Sequence, residues 1–277
     1  MTNKRIRMVA LDLDGTTLNS KVELSDGNRD AIEEAARQGV YVVASTGRSF
    51  NSLPPAVKEL NAISYAITSN GAHINNVETG ESIYDDYVSK EAIEEVIALK
   101  EKFDVYFEAF IQGQAYIDES IYRDIEKNGC PERNAEYVLW SRKPVPDIDS
   151  MMREHAGVIE NINICFNTAD DVELAKPTVL AIPNATITSS FKVNLEVGGP
   201  NTSKKTALIE LMSRLGVSSD ELMCCGDAPN DIQMLELAGI GIAMGNAWGG
   251  TKDHADYVVG TNDEDGVAEA FRRFVLK

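Results

Sequence analysis

The stretch Ile6-Arg7-Met8-Val9-Ala10-Leu11-Asp12-Leu13-Asp14-Gly15-Thr16 decides the fold. Ile6 to Leu11 is short and almost unbroken in apolar character, the pattern of a strand buried on both faces, as in a parallel sheet. Two carboxylates and a turn glycine follow at its carboxyl end. Outward from it, Asp30 to Gln38 is helical in composition and stops at Gly39, a C′ residue. Val40 to Ala44 is again continuously apolar, and Ser64 to Thr68 reads as a third strand after a helical stretch. Strand, helix, strand, helix, strand implies a parallel sheet with right-handed crossovers. The C-terminal third repeats the pattern: helix Thr206–Leu215 ending at Gly216, strand Leu222–Cys225, helix Ile232–Ala238, strands Ile240–Ala243 and Tyr257–Val259, and helix Gly266–Phe274. Both ends read as one doubly wound α/β domain.

The middle differs. Asn70-Gly71 signals a turn, and Ala72 to Tyr84 reads as a hairpin. Ser89 can cap an amphipathic helix running to about Lys102. Val105–Phe110 and Ala115–Ile117 read as strands flanking a Gly113 turn. The proline-bearing segment Asn128–Asp149 reads as an irregular connection, followed by a strand at Ile162–Phe166 and a helix near Asp170–Ala175. The expected organisation is therefore a discontinuous core, 1–84 and 191–277, with an α+β domain inserted at 85–190.

The chain has 277 residues, 26 basic and 44 acidic, for a formal net charge of −18. Such a surface repels phosphate backbones and anionic lipid, which argues against nucleic-acid and membrane-surface partners. A small anionic substrate then requires local positive charge or a metal. No apolar window is long enough to span a bilayer. Lys4, Arg5 and Arg7 precede an apolar run, but Asp12 and Asp14 interrupt it before it can serve as a signal sequence. The four cysteines, Cys130, Cys165, Cys224 and Cys225, form no CxxC pair, so a reducing cytoplasm is the expected location.

Four segments carry candidate chemistry. Asp12 and Asp14 can converge on one metal or phosphoryl group as the strand ends; a solvated Asp-Gly turn is the bland alternative. A calcium loop fails, because Thr17 stands where that loop needs glycine. In Ser45-Thr46-Gly47-Arg48, a hydroxyl and backbone N–H groups can hold phosphate oxygens, or simply cap a helix. Lys204 opens a helix against its dipole, a conflict that a bound anion would remove, although surface lysines are common. In Gly226-Asp227-Ala228-Pro229-Asn230-Asp231, acidic groups again end a strand and suit Mg²⁺, or cap the next helix. Gly239, Gly241 and Gly245 lack dinucleotide-loop spacing, and His73, His155 and His254 lack metal spacing. No Gly-x-Ser-x-Gly elbow is present.

Together these segments resemble the haloacid dehalogenase-like superfamily, and more closely its Cof-type phosphatases, whose large α/β cap is inserted in a Rossmannoid core. The resemblance rests on Asp12-Leu-Asp-Gly-Thr, Thr46-Gly-Arg, Asn70-Gly-Ala, Lys204, Gly226-Asp-x-x-Asn-Asp231, Ala243-Met-Gly-Asn-Ala and Asp265-Gly-Val, in order along nearly the whole chain. It implies a Mg²⁺-dependent phosphatase acting on a small phosphorylated metabolite, with the cap setting specificity. Asp12 would be the nucleophile forming an aspartyl-phosphate, and Asp14 the acid and base. Asp12, the Asp14 carbonyl and Asp227 would hold Mg²⁺, with Asp231 supporting this shell. Leu13, Thr46, Gly47, Lys204 and Asn230 would hold the phosphate. Lys205 stands where the family usually has glycine, which leaves it as an alternative phosphate ligand. Trp248-Gly249-Gly250 also departs from the family pattern. A phosphomutase of the same superfamily and a non-catalytic ligand-binding protein are the alternatives, and a monomer is the default assembly.

Overall fold

In the computed structural model, residues 5–130 and 134–276 are described; Lys4 and residues 131–133 of the proline-bearing segment lie outside them. From the N-terminus run β1 (Met8–Leu11), α1 (Asp26–Arg37), β2 (Tyr41–Ser45), α2 (Pro55–Lys58), β3 (Ile63–Thr68), β4 (His73–Asn76) and β5 (Ser82–Asp85). Next come α3 (Lys90–Ala98), β6 (Val105–Ile111), β7 (Gln114–Asp118), α4 (Glu119–Asn128), α5 (Ala135–Ser141), β8 (Arg142–Val145), α6 (Ile148–Glu154), β9 (Ile159–Phe166), α7 (Ala169–Val179), β10 (Thr186–Thr188) and β11 (Asn194–Gly198). The chain closes with α8 (Lys204–Leu215), β12 (Leu222–Gly226), α9 (Ile232–Leu237), β13 (Ile240–Ala243), β14 (Tyr257–Val258) and α10 (Gly266–Phe274).

Two compact units result. The first holds residues up to Gly47, Leu53–Tyr84, and those from Ser203 onward; the second holds Arg48–Ser52 and Asp85–Thr202. In the first unit an eight-stranded sheet has the order β14-β13-β12-β1-β2-β3-β4-β5. Its strands from β14 to β3 are parallel, and β4 pairs antiparallel with β3 as the expected hairpin begins. Met8, Ala10, Val43 and Cys224 pack on one face against Ala207, Leu208 and Leu211 of α8 and Met234 and Leu235 of α9. Alternation sends Val9 and Leu11 to the opposite face, the side of α1, which packs on β2 and α10. Helices on both faces explain why β1 carries no polar residue.

The second unit is a six-stranded sheet, β10-β11-β9-β6-β7-β8. One face forms an apolar core from Phe107, Ala109, Ile162, Ile164, Leu195 and Val197, covered by Ala92, Ile93 and Val96 of α3 and by Val172, Ala175 and Val179 of α7. Gln112 and Gly113 both take positive φ, 50° and 78°, and turn β6 into β7. Two sequence expectations change here. Within the segment expected to be irregular, the described residues Ala135–Ser141 form α5, capped by the Asn134 side chain, and Arg142–Val145 form β8; Pro144 is accommodated because β8 is an edge strand. The expected return to the first unit at residue 191 falls inside this sheet, since β11 pairs with β9 and β10, and the second unit runs to Thr202. Among the described residues no helix is long and apolar enough to cross a membrane.

Candidate active site

β1, β12 and β2 are adjacent and parallel, so the residues that follow them gather at one edge of the sheet, where ligands bind open α/β folds. The Asp12 N–H still donates to the Cys225 carbonyl, 3.0 Å, so the turn begins only after Asp12. The Leu13 carbonyl then accepts from Thr16, Thr17 and Leu18, and the Thr17 hydroxyl donates to the Asp12 carbonyl at 2.6 Å. This tight turn needs Gly15. Its φ is +77°, and a Cβ there would lie 2.5 Å from Asp227 Oδ2. The close approach lets Thr16 Oγ1 donate to Asp227 Oδ1, 3.0 Å away.

Lys204 is the first residue of α8, whose N-cap is Ser203. Its side chain is 1% exposed, and Nζ donates to Asp12 Oδ1 at 2.7 Å and Asp231 Oδ1 at 2.6 Å. Asp231 Oδ2 accepts the backbone N–H groups of Asp227 and Ala228, at 2.9 and 3.0 Å. Both Asp231 oxygens are thus engaged in holding Lys204 and the Asp227 turn. The Trp248 N–H donates to the Asp227 carbonyl, and a Cβ on Gly249 would meet Pro229 at 2.6 Å, so Trp248-Gly249-Gly250 backs the same turn.

Asp12, Asp227 and Asp231 each bring a carboxylate oxygen within 4.8 Å of the others, and all three are buried. Burial, helped by Asp231 and Asp227, raises Asp12 well above the ordinary carboxylate range despite the pull of Lys204. Burial and Asp231 likewise push Asp227 up to about 7. Lys204 is raised: burial opposes its charge, but Asp12 and Asp231 more than offset that. Three carboxylates facing one ammonium form a hard oxygen donor set with excess negative charge, which fits a divalent cation of the Mg²⁺ type. A stability consequence follows. A raised folded-state pKa means that the metal-free fold binds the Asp227 proton more tightly than the unfolded chain does. Stability in EDTA therefore falls as pH rises from about 4, the unfolded value, through about 7. Asp227→Asn is expected to flatten that slope and raise the thermal midpoint in EDTA near pH 7.5; a steeper slope in the variant would refute this account.

The other predicted residues divide. Leu13 is buried, and Asp14 is exposed at the turn, outside the carboxylate trio. Thr46 and Gly47 follow β2 and meet the 69–71 turn: the Thr46 carbonyl accepts from Asn70 N–H at 3.0 Å, and a Cβ on Gly47 would lie 3.2 Å from Asn70 Oδ1. Asn230 Nδ2 donates to that same Asn70 oxygen at 3.0 Å. Asn70, in left-handed conformation at φ 57°, therefore links the Thr46 and Asn230 segments. Gly71 brings this turn to within 2.2 Å, for an added Cβ, of the Ser203 carbonyl beside Lys204. Lys205 is half-buried, and the ammonium that reaches Asp12 and Asp231 is that of Lys204. Sequence reasoning assigned no role to Asn70 or Thr16; the Asn-Gly turn and the Thr after Asp-Leu-Asp-Gly were their only signals.

The family model for haloacid dehalogenase-like hydrolases matches residues 9–271. The chain is similar to the 5-amino-6-(5-phospho-D-ribitylamino)uracil phosphatase YcsE of Bacillus subtilis strain 168, 34% identical over 98% of this chain and 96% of that protein. It is 30% identical to the phosphatase YwpJ of the same organism, over 98% of this chain and all of that one. Among solved structures, a haloacid dehalogenase-like hydrolase from B. subtilis superposes with a TM-score of 0.83 at 28% identity, covering 98% of this chain and 100% of that one. A matched family model across nearly the whole length, together with carboxylates at adjacent strand ends, places this chain among the haloacid dehalogenase-like hydrolases, in their Cof-type branch.

Proposed function

We propose that the chain is a Mg²⁺-dependent phosphatase that hydrolyses a small phosphorylated metabolite through an aspartyl-phosphate. The observation that carries this reading is the buried trio Asp12, Asp227 and Asp231 around Lys204, at the carboxyl ends of adjacent strands. A pure binder needs no buried carboxylate oriented by a lysine. Asp12 attacks phosphorus with one oxygen while Lys204 holds the other, and the bond from phosphorus to the ester oxygen breaks. Asp14, exposed at the turn, gives its proton to the departing alkoxide. It then takes a proton from a water molecule that attacks the aspartyl-phosphate, which releases inorganic phosphate and restores Asp12. Thr46, Gly47, Lys204, Asn230 and the Leu13 N–H hold the phosphoryl oxygens. Asp231, its oxygens engaged, orients Lys204 and the Asp227 turn. The Asp12 carboxylate, the Asp14 carbonyl and Asp227 would hold Mg²⁺, which when bound would supply the positive charge that offsets the phosphoryl group on a protein of net charge −18.

The second unit, on this reading, selects the alcohol part of the ester. The test is release of inorganic phosphate from p-nitrophenyl phosphate and from a panel of hexose and pentitol phosphates, with 5-amino-6-(5-phospho-D-ribitylamino)uracil included because a relative is named for it. Turnover is expected with Mg²⁺, to fall at least about 100-fold in EDTA, and to return on adding Mg²⁺. No release from any ester, or release indifferent to EDTA, would overturn the proposal. Phosphate that moves within the substrate without release would mark a phosphomutase.

A further inference from the structure

The turn that follows Asp12 is gripped from outside by a side chain that the mechanism does not use. Asn246 comes after β13 and is exposed, yet its amide is committed at both ends. Nδ2 donates to the Gly15 carbonyl at 2.8 Å, and Oδ1 accepts from the Asn262 N–H at 3.0 Å. A carbonyl can only accept and a backbone N–H can only donate, so the amide fits in one orientation. Asn262 extends the grip. Its Nδ2 donates to the Leu18 carbonyl at 3.0 Å, and Oδ1 of the neighbouring Asp263 accepts from the Ser20 N–H at 2.8 Å.

The Gly15–Thr16 peptide is thereby held on both edges. Its N–H closes the turn on the Leu13 carbonyl at 3.3 Å, and its carbonyl is tied to Asn246. The turn that bears Asp14 cannot shift against the loop after β13 without breaking that tie. The same loop holds the other turn of the site, because the Trp248 N–H donates to the Asp227 carbonyl at 2.9 Å. The loop itself is fixed along its length. Met244 is fully buried and its N–H continues the ladder to the Gly226 carbonyl at 3.0 Å. The Gly245 N–H donates to Gly260 and the Ala247 N–H to Met244, each at 3.0 Å, while Thr251 Oγ1 donates to the Trp248 carbonyl at 2.7 Å. Residues 246–248 therefore bridge the Asp14–Gly15 turn to the Asp227 turn, beyond the point where the strand ladder ends.

We propose that Asn246 is a positioning residue that fixes the Asp14 turn against Asp227 and so sets the affinity of the site for Mg²⁺. The inference rests on the phosphatase reading, in which those two turns would hold the ion beside Asp12. Mg²⁺ demands near-ideal octahedral geometry and tolerates little error in where its ligands stand. Groups that orient ligands from behind typically carry a ten- to hundredfold share of metal affinity. Asn246 is suited to a clean test because it is exposed, so truncating it costs the fold little.

The experiment follows thermal midpoints of the full chain in EDTA and along a Mg²⁺ series, without substrate, for wild type, Asn246→Ala and Lys252→Met. Lys252 is the control: its Nζ donates to the Gly245 carbonyl at 2.6 Å, a bond of the same loop that does not reach the turn. Mg²⁺ raises the midpoint once its concentration exceeds Kd, so the rise reports affinity separately from the metal-free baseline. Asn246→Ala should need about tenfold more Mg²⁺ for the same rise, with an EDTA midpoint within about 3 °C of wild type. Lys252→Met should need no more Mg²⁺ than wild type. Phosphate release from p-nitrophenyl phosphate by Asn246→Ala should move to the same higher Mg²⁺ range. A lowered EDTA midpoint with an unchanged Mg²⁺ response would make Asn246 structural and overturn the proposal. Equal weakening in both variants would overturn it too, since any lost bond in the loop would then suffice. A shifted Mg²⁺ response in a protein that hydrolyses no ester defeats the phosphatase reading and supports this inference, whereas a wild type indifferent to Mg²⁺ defeats both.

Discussion

Asp12→Asn is expected to fold and bind but to release phosphate at no more than about one-thousandth of the wild-type rate, since loss of a nucleophile removes a step rather than weakening one. The amide keeps the carboxylate's shape and can still accept from Lys204 Nζ, now 2.7 Å away. It cannot attack phosphorus at a useful rate. Removing one negative charge from three buried carboxylates also relieves repulsion, so the thermal midpoint should stay within a few degrees of wild type. Acid quenching of a single turnover should trap an acyl-phosphate in wild type and none in the variant. Retained phosphate release in a correctly folded Asp12→Asn would defeat the covalent mechanism.

Lys204→Met should produce the largest loss of stability of any single change at the site. The ammonium is the partner shared by Asp12 and Asp231, and both carboxylates are buried. Methionine fills much the same volume but removes the cation that Asp12 and Asp231 share, beside a third buried carboxylate, Asp227. Breaking a buried pair in this way typically costs about 3–5 kcal/mol, on the order of 10 °C in midpoint for a chain of this size. The double variant Lys204→Met/Asp231→Asn should recover part of that loss, because one stranded charge is neutralised, whereas phosphate release stays lost in both. A single variant as stable as wild type would show that Lys204 does not hold the trio together.

Much of the first unit was legible because its strands are buried on both faces. Met8–Leu11 and Tyr41–Ser45 read as continuous apolar runs, and residues with chemistry stood out at their ends. Asp12, Asp227, Asp231 and Lys204 announced themselves by type and position, and the structure brings them together. Asn70 did not, because an Asn-Gly pair reads first as a turn and only the folded chain shows its amide between Gly47 and Asn230. The second unit was harder to read for a specific reason. Its sheet buries Glu108, Asn161, Asn163, Asn194 and Glu196, residue types whose burial sequence patterns do not foresee. In β11 Asn194 and Glu196 alternate with Leu195 and Val197, so it does not read as a buried strand, and the boundary expected at 191 precedes it. β8 does not read as a strand, because Pro144 argues against one unless the strand lies at an edge, as it does here.

The interruption of the first unit by the second bears on how the protein is made. Leu11 pairs with Cys225 and Met8 with Leu222, so the middle of the eight-stranded sheet stays open until the ribosome has added more than two hundred further residues. Residues 85–202 form a contiguous segment with its own core and are synthesised whole before that closure. Domains that fold as units during synthesis do so as their last strand emerges, and contacts of high sequence separation form slowly. The nascent chain thus carries a finished inserted domain on an unfinished sheet, its β1 edge bare and open to chaperones. Asp12 is translated 192 residues ahead of Lys204 and meets Lys204 and Asp227 only once α8 and β12 have been made. Hydrolytic competence therefore arrives in one late step, and no shorter nascent chain has the site at all.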